Sequence, residues 1–231
     1  ATMLTIASRC WLCQCPLHVT IQGICSLCMK HLPVAPPHCL RCGLPSSGGN
    51  DDCGRCLQKP PPWDAMIFAS PYEMPVSGLV LRFKFASQPE LDTALARLLL
   101  LRWQERYRMR NLPRPDVLLS VPLHQKRYFS RGYNQSELLA KPLARWLHCE
   151  YLPDALSRDR RTTSQQSLTE RERKWNLRKA FTCHVSLRGK HVMLLDDVVT
   201  TGSTVREISK ILRSQGVASL QIACICRTLQ A

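Results

Sequence analysis

Four cysteine pairs with C-x2-C spacing open this chain: Cys10/Cys13, Cys25/Cys28, Cys39/Cys42 and Cys53/Cys56. A two-residue spacer lets both thiolates of one turn reach a single ion, and two such turns complete a tetrahedral four-thiolate site. The intervals between pairs are 11, 10 and 10 residues, so two structural Zn²⁺ sites are expected. Near-equal intervals leave the pairing open between consecutive and cross-braced. With every position a thiolate, no coordination site remains for a substrate, and the metals hold structure. A thioredoxin-type redox motif would use one such pair at a βαβ helix, not four in a row. Eight regularly spaced thiolates suffice, which leaves Cys15, His18, His31 and His38 outside the set. Gly43, directly after Cys42, suits the positive φ of such a knuckle.

A second constellation is the run Val192 to Thr204 (VMLLDDVVTTGST). An apolar strand delivers Asp196 and Asp197 to its carboxyl end. A hydroxyl-rich turn with one glycine, Gly202, then enters a helix. Backbone N–H groups and the helix dipole at such an entrance attract a dianion. The hydroxyls of Thr200, Thr201, Ser203 and Thr204 add donors. The two carboxylates stand where they can accept from vicinal ribose hydroxyls or hold Mg²⁺. Phosphate at one end and carboxylates at the other fit a ribose 5-phosphate. No Gly-Lys-Ser/Thr follows, and G-x-G-x-x-G is absent, so the turn is neither a Walker loop nor a dinucleotide fingerprint.

The elements that must position these residues follow from periodicity. Ala65–Tyr72 reads as a strand. Val76, Leu79, Val80 and Phe83 have helical spacing, and Lys84 beside them is expected to snorkel, an anion contact being the alternative. Ser87 with Glu90 reads as a capping box opening a helix that carries Leu91, Leu95, Leu98 and Leu99. Val117–Val121 is a short buried strand. Residues 136–147 form a helix that Pro142 should kink or restart. Residues 153–176 are polar and weakly periodic, a long loop of the functional kind. His191–Leu195, Ser203–Gln215 and Leu220–Cys226 form strand, helix and strand, with Gly216 ending the helix. That is one βαβ unit of a parallel α/β sheet, whose ligands sit at the carboxyl ends of the strands.

The chain has 231 residues, 45% of them hydrophobic, and a formal charge of +15. That is enough apolar content for a core, and it excludes disorder as the main state. No window approaches the ~18 uninterrupted apolar residues of a membrane span. No basic segment precedes a long apolar run at the N-terminus, so no signal peptide and a reducing, cytoplasmic location are expected. Nine of the 13 cysteines precede Leu57, and Lys59-Pro60-Pro61-Pro62-Trp63 reads as a stiff linker. The boundary is therefore drawn between a small cysteine-rich domain, 1–59, and a large one, 60–231. Residues 102–131 hold eight Lys/Arg against two acids, which points to an anionic partner: phosphate, nucleotide or nucleic acid.

The run from Val192 to Thr204 resembles the phosphoribosyl pyrophosphate (PRPP) signature of type I phosphoribosyltransferases. With the cysteine pairs, the segment Arg131-Gly132-Tyr133-Asn134-Gln135 and the loop Arg158…Gln165…Arg171…Asn176, the whole chain resembles the ComF family. The resemblance implies a double zinc ribbon followed by a parallel-sheet, type I phosphoribosyltransferase-like α/β domain. It implies PRPP with Mg²⁺ as ligand and a role in DNA uptake, utilisation or competence. Asp196 and Asp197 would be the catalytic pair, contacting ribose and Mg²⁺, and Thr200, Thr201, Gly202, Ser203 and Thr204 would hold the 5-phosphate. Arg127, Arg131, Gly132, Asn134 and Gln135 would form the pyrophosphate loop, and Gln165, Arg171, Arg173 and Asn176 a lid. Pentosyl transfer is the implied reaction, but no base-recognition segment is identifiable. The alternative is a non-catalytic adaptor on the same fold, binding single-stranded DNA or a protein partner.

Overall fold

A computed structural model describes residues 8–19, 23–47, 52–86, 88–123, 133–158 and 180–229. Two short helices lie in the cysteine-rich part, α1 (Ser26–Lys30) and α2 (Gly54–Gln58). The remainder runs β1 (Ala65–Pro71), α3 (Val76–Phe85), α4 (Leu91–Arg110), β2 (Val117–Ser120), α5 (Gln135–Leu147) and β3 (Glu150–Tyr151). It continues through β4 (Leu156–Arg158), β5 (Phe181–Cys183), β6 (His191–Val199), α6 (Ser203–Ser214) and β7 (Ser219–Arg227).

Five strands form one sheet in the order β1-β7-β6-β2-β3, and every pairing in it is parallel. A parallel sheet is covered on both faces, so its strands read as continuous apolar runs; all seven residues of β1 and all nine of β7 are buried. On one face Phe83, Leu95, Leu99, Leu139 and Leu143 from α3, α4 and α5 pack with Met193 and Leu195. On the other, Val205, Ile208 and Leu212 of α6 pack with Leu194, Ile222 and Cys224. The antiparallel pair β4/β5 stands apart as a second small sheet.

The expected βαβ unit is present, and its first strand is longer than apolarity alone indicates. β6 runs on through both aspartates to Val199, because β7 pairs with it as far as Val199 opposite Arg227. α5 runs unbroken from Gln135 with Pro142 inside it, and its start is set by the Asn134 side chain, which accepts from the Ser136 N–H at 3.1 Å. The N-cap of α4 is Glu90, one residue before Leu91; Ser87, expected to cap it, lies outside the described residues. Trp103 of α4 is buried and donates its indole N–H to Gln221 Oε1 at 3.0 Å.

The segment expected as a spacer is packed down. Trp63 is buried and donates to the Arg41 carbonyl at 2.7 Å, while the Pro62 carbonyl accepts from Arg213 at 2.7 Å. Two arginines of the basic stretch are likewise turned inward: Arg106 meets His38, and Arg110 lies 3.7 Å from Asp52, both tying α4 to the cysteine-rich part. Among the described residues, no helix is long and apolar enough to cross a membrane.

Candidate functional site

The cysteines gather in two groups of four, Cys10/Cys13/Cys25/Cys28 and Cys39/Cys42/Cys53/Cys56, with the sulfurs of each within 4.8 Å of one another. The pairing is thus consecutive. Cys15 is exposed and joins neither group. Cys13 and Cys25 Sγ lie 3.7 Å apart, Cys42 and Cys53 3.8 Å, Cys39 and Cys56 3.9 Å. A tetrahedron of thiolates about 2.3 Å from a central ion has edges of about 3.8 Å. A disulfide would bring the sulfurs to about 2.05 Å. The donor set and its spacing therefore fit a tetrahedral, thiophilic ion such as Zn²⁺.

Electrostatics within each group favours a cation. Burial works against ionising Cys10, but the N–H groups of Cys13, Cys25 and Leu12 outweigh it and bring the thiol down to about 6. Cys53 falls to about 6 as well, its burial overcome chiefly by the Cys56 N–H. Burial and the neighbouring sulfurs push Cys28 and Cys56 well up instead. The early thiolates thus block the later ones, and a dication at the centre reverses that repulsion.

The second site lies at the carboxyl ends of β6 and β2. A cavity of about 440 Å³ is lined by Tyr72, Lys84, Val121, Ser136, Arg158, Asp196, Asp197, Thr200 and Thr204, among others. A recess sharing Asp196, Val198, Thr200 and Thr204 with it continues over Gly202, Ser203 and Val205. Both aspartates and the hydroxyl turn therefore face one space. Gly202 has φ +77°, a left-handed conformation that turns the chain from β6 into α6 and that a side chain would strain. The Arg206 N–H bonds the Gly202 carbonyl at 2.9 Å, so the glycine stands at the mouth of the helix. Within the turn the Thr201 and Ser203 hydroxyls lie 3.1 Å apart.

Adjacent strand residues leave opposite faces of the sheet, so at the end of β6 the two carboxylates line the cavity from different sides. Asp197 is buried and its Oδ1 sits 2.9 Å from Lys84 Nζ. Asp196 accepts the Asp197 N–H at 2.9 Å. Its burial, and then the Asp197 charge, push its carboxyl up to about 7 against smaller opposing contributions from that N–H, Lys84 and Ser136. A proton or a positive ligand group is favoured there.

The expected residues are not all brought together. Asp196, Asp197, Thr200 and Thr204 line the cavity, Gly202 and Ser203 line the adjoining recess, and Thr201 lines neither. Asn134 caps α5 and donates to the Val121 carbonyl at 3.3 Å, and Gln135 is fully buried. Arg127, Arg131, Gly132, Gln165, Arg171, Arg173 and Asn176 lie outside the described residues.

One site residue departs from its expected role, and another had none assigned. Lys84 does not snorkel to solvent but turns into the cavity; its signal was a charge next to the buried Phe83 of α3. Arg227, only 4% exposed, reaches beneath the turn, donating to the carbonyls of Val199 at 3.2 Å, Thr200, and Thr228 at 3.0 Å. Its signal was the one charge in an otherwise uncharged, wholly buried strand.

Such a parallel α/β unit, with paired acids and a hydroxyl turn at the strand ends, is of the phosphoribosyltransferase type. Residues 134–231 match the phosphoribosyl transferase domain model. Over 98% of its length the chain is 46% identical to the whole of the DNA utilization protein YhgH of Escherichia coli K12, and equally so to that of Salmonella typhi. It is 40% identical to Competence protein F of Haemophilus influenzae, over 95% of this chain and 96% of that one. The chain belongs to this ComF family.

Proposed function

We propose that the protein binds PRPP, or a related ligand carrying ribose 5-phosphate, in the cavity at the ends of β6 and β2. The observation that carries this reading is that Asp196, Asp197, Thr200 and Thr204 line one cavity, which continues over Gly202 and Ser203. In it, Thr200, Thr201, Gly202, Ser203 and Thr204 surround the 5-phosphate, with backbone N–H groups at the mouth of α6 as donors. Asp196 and Asp197 accept from the ribose hydroxyls, and Lys84 neutralises Asp197 until they arrive. The family resemblance assigns the pyrophosphate to Arg127, Arg131 and Gly132 and a lid to Gln165, Arg171, Arg173 and Asn176, all of which lie outside the described residues.

The acid pair suits Mg²⁺, a hard cation that prefers oxygen ligands and keeps several waters. Lys84 already occupies one oxygen of Asp197, so Asp196 would be its main protein ligand. Bound there, Mg²⁺ would supply neutralising charge. The chain's own residues fix the sugar and offset charge, which is most of what a pentosyl-transfer site must do.

In this reading residues 1–59 carry two Zn²⁺ on their eight thiolates, and residues 60–231 carry the ligand. The relatives' names support a role in using or taking up DNA; that the protein acts in the cytoplasm is part of the same proposal. Titration calorimetry with PRPP and Mg²⁺ tests the pocket. Wild type should bind, and Asp197→Asn should bind about tenfold or more weakly, as loss of a charged hydrogen-bond partner predicts. Absence of heat in both, at millimolar ligand, would reject the reading.

A further inference from the structure

The turn beside the acids is not held by α6 alone. Arg227 receives the carbonyls of Val199 and Thr200, and the Thr228 N–H bonds the Val199 carbonyl at 3.0 Å. In a trans peptide the C=O and the following N–H point opposite ways. Carbonyls drawn down to Arg227 therefore leave the N–H groups of Thr200 and Thr201 directed away from it. An anion site built of backbone donors needs that orientation.

The same guanidinium also touches the metal region. Arg227 Nε donates to the carbonyl of Cys42, a ligand of the second cysteine group, at 3.4 Å. A second strap runs parallel. Trp63 donates to the Arg41 carbonyl, its ring lies 5.2 Å below the Arg206 guanidinium, and a side chain built on Gly202 would meet that ring at 3.8 Å. Cys42 and the turn thus share Arg227, a residue with almost no freedom of its own.

We propose that the second cysteine group is a working part of the anion site, with Arg227 as the positioning residue that joins them. This inference rests on the phosphoribosyl reading above. Filling Cys39, Cys42, Cys53 and Cys56 fixes the Cys42 carbonyl, which fixes Arg227, which presents the turn's N–H groups to the ligand. Linkage makes the effect reciprocal: ligand in the pocket must slow metal loss from the second group.

The test uses the full zinc-loaded chain, PRPP with Mg²⁺ as probe, and two measurements. In calorimetry, Arg227→Met, which keeps a buried apolar stem, should bind about tenfold or more weakly while retaining two zinc ions and the wild-type circular dichroism. Arg227→Lys, which restores one donor, should recover part of the loss. In zinc release to a coloured chelator, two phases are expected, and PRPP should slow only one of them. Cys13→Ser should remove the other, and Arg227→Met should abolish the slowing. Should Arg227→Met fail to fold, the release kinetics of wild type and Cys13→Ser decide. Equal affinity in Arg227→Met, or release that ligand leaves unchanged or slows equally in both phases, overturns the coupling but leaves PRPP binding standing. A wild type that binds no PRPP overturns the underlying reading instead.

Discussion

The two cysteine groups are built to one plan and put to different use. In each, the first cysteine of the group accepts an N–H from the third, Cys25 to Cys10 at 3.3 Å and Cys53 to Cys39 at 3.4 Å. Each carries one residue at positive φ in the first knuckle, Gln14 at 63° and Gly43 at 74°, whose N–H bonds the carbonyl of Cys10 or Cys39. The surroundings diverge. The first group joins the main core through Cys10, Leu17 and Ile24, and Arg82 of α3 caps it by donating to the Trp11 carbonyl at 3.2 Å. The second is tied by polar contacts to α4, β1 and β7: Arg110 to Asp52, the Met66 N–H to the Leu40 carbonyl at 3.0 Å, and Arg227 to Cys42. The difference teaches that identical metal chemistry can serve two ends. Burial gives the first group a packing role, and directional bonds let the second report to a loop in another part of the chain.

The largest effect should come from breaking the metal sites unequally. Cys39→Ser removes a fully buried ligand from the wired group and should cost more than about 4 kcal/mol, the scale of a lost structural metal. Cys13→Ser removes an exposed ligand and should cost clearly less. Chemical denaturation together with elemental analysis checks both, with two zinc ions per wild-type chain and one in each variant. Equal losses would erase the distinction.

Next comes the knuckle turn. In Gly43→Ala the left-handed φ costs about 1–2 kcal/mol. The new Cβ would also lie 3.1 Å from Met66 Sδ and 3.2 Å from Phe68. A loss of about 2 kcal/mol or more is expected in the denaturation midpoint.

The acid pair lies beside the turn that Arg227 holds, and it gives a pH signature. The folded Asp196 carboxyl is raised from 3.8 to about 7, so the folded state prefers the protonated form. That stabilisation is complete below the unfolded value and is lost as pH rises from about 4 to about 7. Asp196→Asn should therefore be nearly neutral near pH 4. Above pH 7 it should stabilise the free protein by on the order of 2 kcal/mol, allowing for solvent screening. A gain that does not change between pH 4 and pH 8 would reject the pairing described here.

The smallest effect belongs to the first knuckle. Gln14 bears the left-handed conformation that glycine bears in the second, so Gln14→Gly should stabilise by up to about 1 kcal/mol. Thermal unfolding would register it as a small rise in midpoint.

Much of this was legible from spacing alone. Cysteine intervals announce two four-thiolate groups because C-x2-C is a local geometry. They do not decide the pairing, because consecutive and cross-braced arrangements use equal intervals. The βαβ unit and the 200–204 turn were readable because a buried strand, a glycine turn and an amphipathic helix each leave a local pattern. The pairing of Lys84 and the role of Arg227 were not. Their partners, Asp197 and Cys42, lie more than 100 residues away in sequence, and only parallel strand order brings them together. The linker prolines misled for the same reason. A stiff local conformation says nothing of whether Trp63 finds a hydrogen-bond partner and a glycine turn to cover.

Diffraction from crystals grown with PRPP and Mg²⁺ would test the central claim most directly. The account predicts density for a 5-phosphate within hydrogen-bond distance of the 200–204 backbone, with the ribose hydroxyls against Asp196 and Asp197. Ligand density elsewhere on the molecule, or a vacant pocket at saturating PRPP, would contradict it.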